Sequence, residues 1–253
     1  MAELVQYQSF KEEYGLIRLN RPQKHNAISR EMADLFLEKI KIAKNSDIKF
    51  LIITGAGEKM FCSGGDLNHL HGDLSSDEAF KELYPMKECL YELVSFPVPT
   101  VCLLNGDALG GGCEIATACD FRIGKKGTKF GFVQSKLGII PGWGGGELLY
   151  KKVHPTFAYD WLLGADIFDI DYLEKQGWIH RIVDTDDWEN HNEILEPFLS
   201  KSLEQMKFLK GQYNKNLSVL SLSAQMNEEV QNSANLWDSP EHKEAVERFF
   251  KGK

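Results

Sequence analysis

The segment Asn105-Gly106-Asp107-Ala108-Leu109-Gly110-Gly111-Gly112-Cys113-Glu114 constrains the fold more than any other stretch of the chain. Apolar Val101, Cys102, Leu103 and Leu104 lead into it as a short buried strand, and Ile115, Ala116, Ala118 and Cys119 continue as a helix of small residues. Consecutive glycines cost backbone entropy, so they fit where N–H groups must approach something closely. Unpaired N–H donors at a helix start favour developing negative charge, and Glu114 adds a proton acceptor or donor beside them. From these residues alone two readings stand: a site, or a tight strand-to-helix turn with Glu114 as a solvated first-turn carboxylate.

A second glycine cluster, Phe61-Cys62-Ser63-Gly64-Gly65-Asp66-Leu67, follows the apolar run Phe50-Leu51-Ile52-Ile53-Thr54. By itself Ser-Gly-Gly-Asp reads equally as an ordinary turn. With the first cluster it gives two strand ends that offer N–H donors. Acyl-thioester chemistry through an enolate needs two such donors on one oxygen, because charge leaves the α-carbon and accumulates there.

The order of elements predicts a layered α/β core. Strands are expected at 15–19 and 50–54, around a helix opened by Ser29 whose Met32, Leu35, Phe36, Ile40 and Ala43 share one face. A polar segment at 69–77 precedes a helix at 78–94, expected to be interrupted by Pro85. After Pro97 and Pro99 a strand at 100–104 delivers the triple glycine, followed by short strands near 120–123 and 128–131. Helices are expected at 159–163 and 171–176, the latter stopped by Gly177, then a strand at 179–183. From about Trp188 the pattern predicts three helices, the last at 240–250 with Pro240 in its first turn.

Composition narrows the function classes. A chain of 253 residues with 43% hydrophobic content buries a substantial core. No apolar stretch approaches the about 20 residues of a membrane helix, and the amino terminus is not signal-like, so a cytoplasmic location and no membrane partner are expected. A net charge of −8 with dispersed basic residues argues against nucleic acid. Lys125-Lys126 and Lys151-Lys152 are candidate phosphate contacts or simply solvated faces. The five cysteines lack disulfide or metal spacing, and Cys113 has no histidine near it in sequence to activate it. His69 and His71, two apart, fall on different faces of a helix, so no metal is expected. No Gly-x-Gly-x-x-Gly or Walker loop opens a helix, which argues against a nucleotide-binding class.

Taken together, Arg18-Leu19-Asn20-Arg21-Pro22, Lys24-His25-Asn26-Ala27-Ile28, both glycine clusters, Phe130-Gly131, Leu137-Gly138-Ile139-Ile140-Pro141-Gly142 and Gly144-Gly145 resemble the crotonase, or enoyl-CoA hydratase/isomerase, superfamily. The resemblance implies a spiral of β-β-α turns in residues 1–190, carrying the acyl-CoA site. It also implies a carboxy-terminal helical region at 191–253 that packs into homotrimers, often doubled to hexamers. It implies an acyl-CoA substrate of the kind met in fatty acid metabolism, with no cofactor beyond the coenzyme A moiety. By position, the backbone N–H groups of Gly65 and Gly111 would form the oxyanion hole and Glu114 would be the catalytic glutamate. Coenzyme A contacts would fall on Lys24, His25, Ala27, Ser63, Asp66 and Leu67. Phe80, Tyr84 and Tyr91 would be candidates for shaping the acyl pocket, or plain core. Phe249 and Phe250 would be buried against something, or would close the chain's own core.

One departure matters. Where hydratases of that family carry a second glutamate, this chain has Gln134. An amide cannot transfer a proton, and losing one acid–base partner costs hydration about 10²- to 10⁴-fold. Ser63-Gly64-Gly65-Asp66-Leu67-Asn68, Phe132-Val133 and the Ile140-Pro141-Gly142-Trp143-Gly144-Gly145 run resemble instead the branch that decarboxylates ethylmalonyl- or methylmalonyl-CoA, with Trp143 the distinctive element or a packing residue. Hydration or isomerisation and decarboxylation therefore stand side by side. A non-catalytic acyl-CoA-binding scaffold is the remaining alternative.

Overall fold

The computed structural model describes residues 3–10, 13–67 and 74–251. His69 and His71 lie outside the described residues, as do Asn68 and most of the polar segment.

Among the described residues the strands form two sheets. The larger has the order β1 (Val5–Phe10), β2 (Tyr14–Leu19), β3 (Phe50–Gly55), β5 (Thr100–Leu104), β7 (Phe121–Lys125) and β10 (Arg181–Val183). Only β1 and β2 pair antiparallel there; the other neighbours are parallel. The smaller sheet has the order β4 (Met60–Cys62), β6 (Asp107–Leu109), β8 (Lys129–Gly131) and β9 (Phe168–Asp169), with β4, β6 and β8 parallel. Consecutive strands alternate between the sheets: β3 then β4, β5 then β6, β7 then β8. Helices separate these steps, which is the expected spiral of β-β-α turns. β3 and β5 are buried along their whole length, as continuous apolar strands of a covered parallel sheet should be.

Helix α1 (Arg30–Lys44) begins where Ser29 accepts a hydrogen bond from the Met32 N–H, and buries Met32, Ala33, Phe36, Ile40 and Ala43. Helix α2 (Ser76–Val94) opens with a capping box between Ser75 and Glu78. It runs through Pro85 rather than being interrupted there. Proline removes one N–H and so leaves the carbonyl four residues earlier without its helical donor. That carbonyl belongs to Lys81, and the Arg30 guanidinium donates to it at 3.2 Å.

Helix α3 (Gly111–Ala118) follows the triple glycine, and α4 (Gly145–Lys152), α5 (Pro155–Gly164) and α6 (Ile170–Lys175) complete the middle of the chain. Beyond Trp188 the described residues hold four helices instead of three: α7 (His191–Leu199), α8 (Leu203–Asn216), α9 (Val219–Trp237) and α10 (Pro240–Lys251). The extra boundary comes from Ser202, whose hydroxyl caps the Gln205 N–H and starts a new helix only a few residues after α7 ends. Helix α9 packs along α2 and reaches α4, which brings the carboxy-terminal helices onto the cleft.

Candidate active site

The parallel sheet brings the two glycine clusters together. β4 and β6 are neighbours, so the segments leaving their carboxy ends, Ser63-Gly64-Gly65 and Gly110-Gly111, lie side by side. A side-chain carbon built on Gly64 would stand 3.0 Å from the Gly111 nitrogen. Gly64 and Gly110 both have positive φ, +95° and +52°, a region open to glycine at little cost. Among the described residues, neither the Gly65 nor the Gly111 N–H has a hydrogen-bond partner. Both line a cleft of about 580 Å³, a size suited to a small-molecule ligand.

The first motif folds over the second. Arg21 donates to Asp66 Oδ2 at 2.6 Å and to the Ala27 carbonyl at 3.2 Å. The His25 carbonyl accepts from the Ser63 N–H at 3.1 Å, and Ile28 bridges to Gly65. Buried Asn26 fastens the turn by donating to the Ala56 and Met60 carbonyls, both at 2.9 Å. Lys24, His25, Ala27, Ser63, Asp66 and Leu67 consequently line the cleft together, Lys24 and His25 exposed, Ala27 and Asp66 buried. The Asp66 carboxylate is engaged by Arg21, so its cleft contact and its structural pairing coincide.

Glu114 is buried in the first turn of α3 rather than solvated. Its Oε2 accepts from the N–H groups of Trp143 at 2.9 Å and Gly145 at 3.0 Å, and its Oε1 from Gln134 Nε2 at 3.0 Å and, more weakly, Gly142 N–H at 3.4 Å. Burial drives its pKa up to about 7, against the opposing pull of those donors. A carboxyl in that range exchanges protons near neutral pH, as an acid–base group must. Gln134 is buried at the start of a short 3₁₀ turn (Gln134–Leu137), and its Oε1 has no hydrogen-bond partner among the described residues.

Trp143 unites the two sequence readings: it is 4% exposed and also forms a wall of the cleft. Its six-membered ring packs so close to Gly111 that an added side-chain carbon there would come within 2.1 Å of it. All ten residues expected at the site line this one cleft.

The remaining candidates lie away from the cleft or follow their plainer alternative. Phe80, Tyr84 and Tyr91 do not line the cleft. Tyr84 and Tyr91 flank the Lys87 ammonium at 5.4 and 5.2 Å, and Leu83 is the residue of α2 that reaches the cleft. Lys125, Lys126, Lys151 and Lys152 also lie elsewhere: Lys126 pairs with Asp184, and Lys152 donates to the Cys119 carbonyl at 2.7 Å. Cys113 donates to the Ala108 carbonyl, and burial pushes its thiol well up, so it is no thiolate nucleophile.

Several wall residues gave little signal in the sequence. Phe249 and Phe250 from α10 and Ser233 and Trp237 from α9 line the cleft, yet the burial expected of the two phenylalanines is not seen: Phe249 is 40% exposed and Phe250 half-buried at the cleft rim. A further buried carboxylate, Glu229, was missed. It occupies the apolar face of α9 set by Leu222, Met226, Val230, Ser233 and Trp237, and an acidic residue in that helical spacing was the available clue.

The sequence model described as enoyl-CoA hydratase/isomerase matches residues 9–253. The chain is 35% identical over 176 residues to a crotonyl-CoA hydratase of Syntrophomonas wolfei, a match covering 68% of this chain and 66%, just under two thirds, of that relative. It is 32% identical over 244 residues to an ethylmalonyl-CoA decarboxylase of Bos taurus, covering 94% of this chain and 78% of the other. The crystal structure of an enoyl-CoA hydratase from Bacillus halodurans superposes with a TM-score of 0.89 at 25% identity, over 97% of this chain and all (100%) of that one. Fold, glycine-lined cleft and sequence agree that the chain belongs to the enoyl-CoA hydratase/isomerase family.

Proposed function

We propose that the protein decarboxylates a malonyl-type acyl-CoA, a thioester with a carboxylate on its α-carbon. The observation that carries this reading is the pairing of buried Glu114 with the Gln134 amide, so that the site has one proton-transfer group where hydration employs two. Coenzyme A lies along Lys24, His25, Ala27, Ser63, Asp66 and Leu67. The thioester oxygen accepts from the Gly65 and Gly111 N–H groups. Breaking the bond between the α-carbon and the carboxylate releases carbon dioxide and leaves the electron pair as an enolate, whose charge rests on that oxygen. Each donor contributes about 3 kcal/mol to this step. Glu114 in its protonated form then delivers a proton to the α-carbon and recovers one from solvent.

The walls favour the bond-breaking step. Val133, Ile139, Ile140 and Trp143 present mostly apolar surface, which strips water from the departing carboxylate as its charge disperses. Gln134 holds that carboxylate in line through its amide once Nε2 turns from Glu114. The Bos taurus relative, aligned over 94% of this chain, carries the decarboxylase name, which supports the reading.

A second reading, isomerisation of an enoyl-CoA by a single base, is favoured by the Glu114 pKa of about 7, which suits one carboxyl taking and returning a proton. A panel of crotonyl-, 3-enoyl-, malonyl-, methylmalonyl- and ethylmalonyl-CoA, followed by mass spectrometry, separates these. Loss of carbon dioxide is the expected outcome; gain of water or double-bond migration alone overturns the decarboxylase reading.

Gln134→Glu restores a second proton-transfer group. It should raise hydration of a short enoyl-CoA at least about tenfold and lower decarboxylation, since a new negative charge opposes the substrate carboxylate. Unchanged hydration in a folded variant that still binds coenzyme A removes Gln134 from the reacting centre.

A further inference from the structure

The loop and helix start at residues 142–147 serve two carboxylates from distant parts of the chain. Glu114 accepts from the N–H groups of Gly142, Trp143 and Gly145. Glu229, on α9, accepts from those of Gly144 at 2.8 Å, Gly146 at 3.3 Å and Glu147 at 2.6 Å. Six consecutive amides are thus divided between two buried acids, and no neighbour on that run is left for a third. The close fit is visible in the glycines. A side-chain carbon on Gly145 would lie 2.4 Å from Glu114, and one on Gly146 would lie 2.7 Å from Glu229 Oε2.

We infer that Glu229 is a positioning residue for Glu114, fixing the amide run that aims Glu114 into the cleft. The inference rests on Glu114 being the proton-transfer group, and it adds a partner that does not touch the cleft itself. Both carboxylates are buried and accept from interleaved amides of one short run, so a charge on one raises the cost of a charge on the other. Burial and the Glu114 charge both push Glu229 well above the usual carboxylate range. The surrounding titratable groups offer no simple counter-charge. Glu147 and Tyr150 face Glu229, Cys113 faces Glu114, and Lys151 acts on half-exposed Glu147 together with Glu228. Glu114 is the member that lines the cleft, and Glu229 holds the loop that aims it and sets how readily it gives up its proton.

The test uses the full-length protein with Glu229→Gln, which keeps the shape and one acceptor oxygen, and Glu229→Ala, which keeps neither. Glu229→Gln is expected to lower kcat at least about tenfold while KM stays within about threefold, because the cleft walls are untouched. The pH limb governed by Glu114 should also move down by at least about half a unit, since the competing acid is gone. Glu229→Ala should be at least about tenfold slower than Glu229→Gln. If it fails to fold, Glu229→Gln decides. An infrared titration of the carboxyl band gives a readout besides activity: the Glu114 carboxyl should lose its proton at a lower pH in Glu229→Gln than in the parent. An unchanged kcat, pH limb and infrared titration in folded Glu229→Gln overturns the inference. Failure of the parent reading looks different: there Glu114→Gln keeps full activity, while the infrared experiment still reports whether Glu229 shifts the Glu114 titration.

Discussion

Glu114→Gln should slow any reaction whose limiting step moves a proton at the α-carbon by about 10²-fold or more. The amide keeps the volume of the carboxyl but neither gives nor takes a proton, and it puts an NH₂ group opposite main-chain N–H donors. Decarboxylation should fall less, because carbon–carbon cleavage needs no base and Glu114 enters only when the enolate is protonated. Carbon dioxide release measured beside enoyl isomerisation in the same variant therefore reports which reaction uses the residue as base. Near-full activity on every acyl-CoA that the parent turns over would reduce Glu114 to a buried helix-start carboxylate. The variant also changes how stability depends on pH. The folded-state pKa of Glu114, about 7, lies above its ordinary 4.5, so the folded state binds the extra proton between those values. The stability this contributes is complete below about pH 4.5 and is lost as the pH rises through about 7. Thermal melts should show a shallower decline across that window in Glu114→Gln than in the parent.

Gly111→Pro should abolish turnover. Proline deletes the N–H assigned to the thioester oxygen, a loss of about 3 kcal/mol or about 10²-fold on that donor alone. The ring of Trp143 complicates a simple comparison, because any side-chain carbon at Gly111 runs into it. Pairing each substitution with Trp143→Ala removes that clash. With room made in this way and Trp143→Ala as the reference, Gly111→Ala keeps the N–H and should keep most of that variant's activity, while Gly111→Pro should still lose at least about 10²-fold. Equal activity of the two double variants would take the Gly111 N–H out of the reaction.

The parts of the site legible in the sequence are those whose chemistry is local. Glycine runs at strand ends, a carboxylate in the first turn of a helix and a lysine-histidine turn all read from neighbouring residues. The fold's alternation of strands between two sheets was legible through the resemblance, since strand lengths alone leave pairing open. What escaped depends on long-range packing. Leu83, not Phe80 or Tyr84, reaches the cleft because Tyr84 and Tyr91 turn to the Lys87 ammonium, a choice that helical spacing does not encode. Pro85 reads locally as a break, yet Arg30, on another helix, satisfies the orphaned carbonyl. Glu229 is 115 residues from Glu114 by their numbers, and only the folded chain shows that they divide one run of amides.

The parallel pairing of β4 with β6 has a metrical consequence. Adjacent strands lie about 4.8 Å apart. Two donors at that separation can each stand about 2.9 Å from a single oxygen placed between them, within ordinary hydrogen-bond length. The sheet thus acts as a ruler for the two loops: the repeat between β4 and β6 brings Ser63-Gly64-Gly65 and Gly110-Gly111 alongside each other at about the spacing that the proposed anion seat requires. Substitutions that soften the glycine turns should alter how often the two loops present their N–H groups together, while the strands beneath keep the loops adjacent.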